Sequence, residues 1–114
     1  MLIGLDYDDT YTKDPEMWDE LVDLMRDQGC TVYVVTRRFF DDPVEFSEDS
    51  PMDVRCDVVY CDQRPKRQVC EGLGLDVDIW IDDLPEGVGS EEIPFDLLTR
   101  TARGQHWYDN RGIV

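Results

Sequence analysis

Carboxylates recur in this chain at places where an apolar run stops. Asp6, Asp8 and Asp9 follow Leu2-Ile3-Gly4-Leu5, and Asp82-Asp83 follows Val77 to Ile81. Thr36 closes the run that starts at Thr31, and Lys66 stands directly after Pro65. Carboxylates brought to one point repel each other unless a cation sits among them. Hard oxygen donors suit Mg²⁺, which binds through one or two carboxylates together with substrate phosphate. A hydroxyl and a lysine can hold phosphate oxygens, and a carboxylate between them can attack phosphorus to give an aspartyl phosphate. Such phosphoryl transfer is mostly positioning and charge neutralisation. Lysine is scarce, with only Lys13 and Lys66 against nine arginines and nineteen aspartates, so each lysine draws attention.

The elements that must hold these groups alternate. Leu2 to Leu5 reads as a short buried strand. Asp14-Pro15-Glu16 is a helix start, with an Asp cap, Pro in the first turn and an acid behind it. Trp18, Leu21, Val22 and Met25 then share one helical face, and Gly29 ends the helix. Thr31 to Val35 is a β-branched strand. Residues 37 to 53, with Pro43 and Pro51, read as a loop that leaves room for one helical turn. Asp57 to Cys61 is a third strand, Pro65 opens a short helix that runs to Leu73, and Val77 to Ile81 is a fourth strand. Ile93 to Leu98 fits strand or helix, and the tail from Thr99 is mostly polar, with no signal from His106 or Trp107. This order predicts an α/β fold, a single Rossmann-like three-layer domain over 1–114 with a mostly parallel sheet. In such sheets the ligand site lies at the carboxyl ends of the strands, where the groups named above fall.

Composition narrows the function classes. The chain has 114 residues, enough for one core, and a net charge of −16. Long nucleic acid is disfavoured as a partner, because its binding needs a basic surface. A small phosphorylated substrate remains compatible. The acidic excess also suits a solvated surface adapted to high salt. No apolar run reaches membrane-spanning length and no signal peptide is visible, so a cytoplasmic protein without a membrane partner is expected. Cys30, Cys56, Cys61 and Cys70 form no CxxC pair, which points to reduced, buried thiols and not to zinc.

The run Ile3-Gly4-Leu5-Asp6-Tyr7-Asp8-Asp9-Thr10 resembles the first motif of the haloacid dehalogenase-like superfamily, an apolar strand followed by DxDx[TV]. Val34-Val35-Thr36, Lys66 and Trp80-Ile81-Asp82-Asp83 are similar to its second, third and fourth motifs, in the family's order and over residues 1 to about 85. The resemblance implies a Mg²⁺-dependent phosphatase acting on a phosphomonoester through an aspartyl-phosphate intermediate. Asp6 would be the nucleophile and Asp8 the general acid and base. Thr36 would bond the transferring phosphoryl group, and Lys66 would neutralise it. Asp6, the Asp8 carbonyl and Asp82 would bind the metal, with Asp83 as a ligand or support. Thr10, Arg37, Arg38 and Arg64 are candidates for substrate binding, although Arg37 and Arg38 could equally pair with Asp41, Asp42 or Asp53. Asp9 stands where such phosphatases often carry Gly, and reads as a solvent-facing turn residue.

The spacing from Thr10 to Asp14, and from Thr36 to Lys66, has no room for an inserted cap domain. A capless, open core would accept a phosphorylated small molecule, nucleotide or phosphoprotein, and leaves a homo-oligomer open. Phe39 and Phe40 either stack a base or anchor the loop. Two other readings stand beside the phosphatase. One is a catalytically silent fold of the same kind used as an interaction module. The other is a receiver-like phosphotransfer domain, with Asp62 as the phosphorylated residue after the third strand.

Overall fold

Buried aliphatic runs that lack partners of their own must pair side by side, and here they form one parallel sheet. The computed structural model describes residues 1–89. Its strands β1 (Leu2–Leu5), β2 (Thr31–Thr36), β3 (Val58–Tyr60) and β4 (Ile79–Ile81) lie in the order β3-β2-β1-β4, every pair parallel. Helix α1 (Pro15–Asp27) connects β1 to β2, and α2 (Lys66–Gly72) connects β3 to β4. Single 3-10 turns cover Tyr11–Lys13 and Pro85–Gly87. This is a Rossmann-like α/β arrangement. Ile93 to Leu98, the tail from Thr99, His106 and Trp107 lie outside the described residues.

Side chains alternate across the sheet with the two-residue strand period. Ile3, Leu5, Val32 and Val34 face one side, where Trp18, Val22 and Met25 of α1 cover them. Val35 and Val59 face the other, against Val69 and Cys70 of α2. Three layers follow from that alternation. Gly4 points to the α2 side, where a Cβ would meet the Trp80 ring at 2.9 Å. The missing side chain therefore lets the indole of β4 lie across β1.

Local chemistry sets the ends. Asp14 Oδ1 accepts from Met17 N at 3.3 Å, and Pro15 opens α1. Gly29, with φ of +91°, turns the chain back towards β2. Strands β3 and β4 are shorter than their apolar runs predict. Asp57 is drawn into a turn instead, its carboxylate accepting Asp53 N at 2.7 Å. The residues from 37 to 57 contain no helix or strand, yet they are anchored. Val44 and Met52 are in the core, and Tyr7 Oη both donates to the Glu45 carbonyl and accepts from its amide at 3.0 Å. The ring of Phe46 meets Tyr7 and Tyr11 edge-on. All four cysteines are free thiols. Among the described residues no helix is long and apolar enough to cross a membrane.

Candidate active site

The chain runs β1-β2-β3 in one direction across the sheet and then returns to the other side of β1 for β4. The point where the order reverses lies between β1 and β4, and a crevice opens there at the carboxyl ends. Register brings the site residues together. Leu5 pairs with both Val34 and Ile81, and Asp6 N donates to the Ile81 carbonyl at 2.9 Å. Asp6 and Asp82 thus leave neighbouring strands at the same level, and Thr36 ends β2 on the other side of β1. A cleft of about 300 Å³ opens above them, lined by Asp6, Asp8, Asp9, Arg37, Lys66, Asp82 and Asp83 among others. Thr10, Thr36, Arg38, Arg64 and Asp62 do not line it.

Lys66 is the hub. Its side chain enters from the first residue of α2 and is buried, with the residue only 2% exposed. The ammonium donates to Asp6 Oδ1 and to Asp82 Oδ2, each at 2.6 Å. The protein itself therefore supplies one of the cations that converging carboxylates require. The second oxygen of Asp6 accepts from the Thr10 hydroxyl at 3.0 Å, and the same hydroxyl lies 3.1 Å from Asp83 Oδ1. A hydroxyl has one proton, so Thr10 serves one of these two carboxylates at a time. It also accepts from Asp83 N at 3.3 Å, which ties the loop after β4 to the loop after β1. Thr10 is thus a positioning residue for Asp6 and Asp83. Asp9 is exposed at φ of +65°, a left-handed turn that Asp tolerates better than most residues.

Asp8 lies on the rim, and Arg38 grips it. Nε and Nη2 of Arg38 donate to Asp8 Oδ2 and Oδ1 at 3.1 and 2.9 Å. The opposite edge of the guanidinium donates to the Pro43 carbonyl at 3.0 Å, and its plane lies 5.1 Å from the Tyr7 ring centre. The hydrogen bond to Asp8 holds Arg38 above its ordinary pKa. Arg37 lines the cleft, and burial pulls its pKa down. It donates to the Gln63 carbonyl, while Gln63 Nε2 donates back to the Arg37 carbonyl at 2.8 Å. Asp62 and Gln63 both have positive φ, at 53° and 67°, so this clasp between the loops after β2 and β3 holds two residues in an uncommon conformation. Arg64 is exposed and turns back to the Cys61 carbonyl at 3.3 Å. Thr36 is 1% exposed; its hydroxyl accepts from Arg38 N at 3.2 Å and keeps its own proton to donate.

Electrostatics separate the candidate nucleophiles. Burial pushes the Asp6 carboxyl up to about 7, with Lys66 pulling it down and Asp83 and Asp82 pushing it further up. Burial also pushes the Cys61 and Cys70 thiols up to about 12 and about 11, so neither supplies a thiolate near neutral pH. Oxygens of Asp6, Asp82 and Asp83 all lie within 4.8 Å of one another, a separation and donor chemistry that fit a hard divalent cation such as Mg²⁺. Three carboxylates face a single ammonium here, which leaves negative charge for a metal to neutralise. Two contacts had no signal in the sequence. The Arg38–Asp8 fork and the Arg37–Gln63 clasp both join residues far apart in the chain, and only the pairing of β2 with β1 and β3 brings them together. Comparison with known proteins gave no match to any family model, curated protein or solved structure.

Proposed function

We propose that the protein is a Mg²⁺-dependent phosphohydrolase that cleaves a phosphomonoester through an aspartyl phosphate on Asp6. The observation that carries this reading is the ammonium of Lys66 at 2.6 Å from both Asp6 and Asp82, in a cleft at the sheet's reversal point. Resemblance of four short motifs to the haloacid dehalogenase-like superfamily supports the same assignment. In this mechanism Asp6 attacks phosphorus, held in line by Lys66 on one oxygen and Thr10 on the other. The phosphorus–oxygen bond to the leaving group breaks, and Asp8 gives the leaving oxygen its proton. Thr36 donates to a phosphoryl oxygen. Asp8 then takes a proton from water, which attacks phosphorus, releases phosphate and restores Asp6. Asp6, Asp82 and Asp83 would hold Mg²⁺, whose charge would neutralise the phosphoryl oxygens.

Phosphate release from a panel of phosphoesters with Mg²⁺ tests the reading. Asp6→Asn, folded by circular dichroism, should lose activity by several orders of magnitude. Lys66→Ala should lose about a hundredfold or more, in line with removing one transition-state donor. Undiminished hydrolysis by Asp6→Asn would end the proposal. A silent binding module is the second reading, and the observation in its favour is Asp8 engaged by Arg38 on both oxygens. Substrate bound without phosphate release by the wild-type protein would select it.

A further inference from the structure

Arg38 presents its Nε–Nη2 edge, the edge that matches two oxygens of one oxyanion, at a fixed position. Contacts other than Asp8 also hold that position. The opposite edge is fastened to the Pro43 carbonyl, the plane rests on Tyr7, and the backbone amide is bonded to Thr36. Asp8 lines the cleft and Arg38 does not, so the fork stands behind Asp8 as seen from Asp6. If Asp8 moves to the leaving oxygen, the fork remains in place and faces the leaving-group side.

Charge distribution points the same way. In a chain of net charge −16 with eleven basic residues, five of these, Arg37, Arg38, Arg64, Lys66 and Arg67, fall in the short segments after β2 and β3. One phosphoryl group needs Lys66 and a metal, which leaves the fork of Arg38 beyond what a single phosphate uses.

We propose that Arg38 is a specificity-determining residue that binds a second phosphate on the leaving group, in exchange for Asp8, so that the substrate class is a bisphosphorylated molecule. The inference rests on the phosphohydrolase reading for its catalytic part. A phosphate dianion takes both N–H donors that Asp8 now occupies, and Asp8 is freed to reach the leaving oxygen. A monophosphate leaves the Arg38–Asp8 pair closed and is turned over slowly.

The test uses alkanediol bisphosphates, from ethanediol to hexanediol, each against its own monophosphate. Rates are measured with Mg²⁺ in wild type, Arg38→Ala and Arg38→Lys. Binding is measured by calorimetry in Asp6→Asn and in Asp6→Asn with Arg38→Ala. The expected result is a preference of tenfold or more in kcat/KM for the bisphosphate at one chain length, most of it in kcat. Arg38→Ala should collapse that ratio to within about threefold of unity, and Arg38→Lys should restore it only in part, since an ammonium has no fork. Calorimetry should show the same preference in Asp6→Asn and its loss in the double variant. Equal kcat/KM for both members at every length, with hydrolysis otherwise intact, would overturn the proposal and leave the phosphohydrolase standing. So would an equal loss on both members in Arg38→Ala, which would make Arg38 a structural clip. Tighter bisphosphate binding through Arg38 without turnover would support the ligand class and remove the hydrolase.

Discussion

At Asp6 two forces oppose each other, and their balance is measurable. The carboxylate is buried, which disfavours its charge, and it lies against an ammonium, which favours it. Burial is the larger, so the group sits at about 7 in the folded chain against 3.8 in a free side chain. Between those two values the folded state keeps a proton that the unfolded state has already lost. Stability of the metal-free protein should therefore fall as pH rises from about 4 to about 7, and level off above. Lys66 supplies the opposing pull, so Lys66→Ala should carry the fall on to higher pH, and Asp6→Asn should flatten it. Urea denaturation from pH 4 to pH 9, with a chelator present, gives the slopes and the pH at which the fall ends. A stability that rises over the window in wild type would mean that the Lys66 contact outweighs burial. Residues such as Asp6, Asp82 and Lys66 were legible in the sequence because strand ends and a helix start mark them. Arg38 was legible only as a cation beside the site. Of the alternative partners Asp41, Asp42 and Asp53, Arg38 does meet Asp42, at 3.5 Å and four residues on. Its fork on Asp8 depends on how β2 sits against β1, and no local pattern carries that.

Among the elements, β1 and β4 hold the cleft open between them, and their contact is set by a glycine. A Cβ at position 4 would come within 2.9 Å of two Trp80 ring atoms, closer than carbon atoms pack. Gly4→Ala should cost about 1–3 kcal/mol, the usual range for an overpacked site. It should also push β4, and Asp82 with it, away from Asp6. Trp80→Leu in the Gly4→Ala background should recover part of the loss, because the smaller side chain leaves room. Chemical denaturation of the four proteins forms a double-mutant cycle, and strictly additive losses would show that the two residues do not touch. A lone glycine inside an apolar run does hint at close approach, but the sequence does not say what approaches. Strand and helix order, the Asp14 cap and the split of the core onto two faces all followed from periodicity. The ends of β3 and β4 did not: Asp57 and Asp78 still bond through their backbone to Val34 and Leu2, but their carboxylates take backbone amides of their own and the regular strand starts one residue later. The order of the residues from 37 to 57 was also hidden. Its anchors are Val44, Phe46 and Met52, too few and too widely separated to mark a strand or a helix.

The whole molecule carries a net charge of −16, and Mg²⁺ meets that charge in two separable ways. Diffuse repulsion among surface carboxylates is screened by any salt within a Debye length, about 10 Å at 0.1 M and shorter at higher concentration. A bound ion instead stabilises by mass action, by about 2.7 kcal/mol when its free concentration is a hundred times its dissociation constant. KCl alone should raise the melting temperature by the first route. With KCl held high enough to saturate that rise, added MgCl₂ should raise it further only through the cluster of Asp6, Asp82 and Asp83. Asp82→Asn keeps the side-chain shape and an oxygen to accept from Leu84 N, but removes one charge from the cluster. It should respond to KCl as wild type does and lose most of the additional Mg²⁺ response. It should also start from a lower metal-free melting temperature, because Asp82 accepts from Lys66 and its charge offsets that buried ammonium. Thermal melts over both salts in both proteins decide the matter. An equal Mg²⁺ increment in wild type and Asp82→Asn at saturating KCl would assign the ion to the acidic surface at large, and the candidate metal site would be lost.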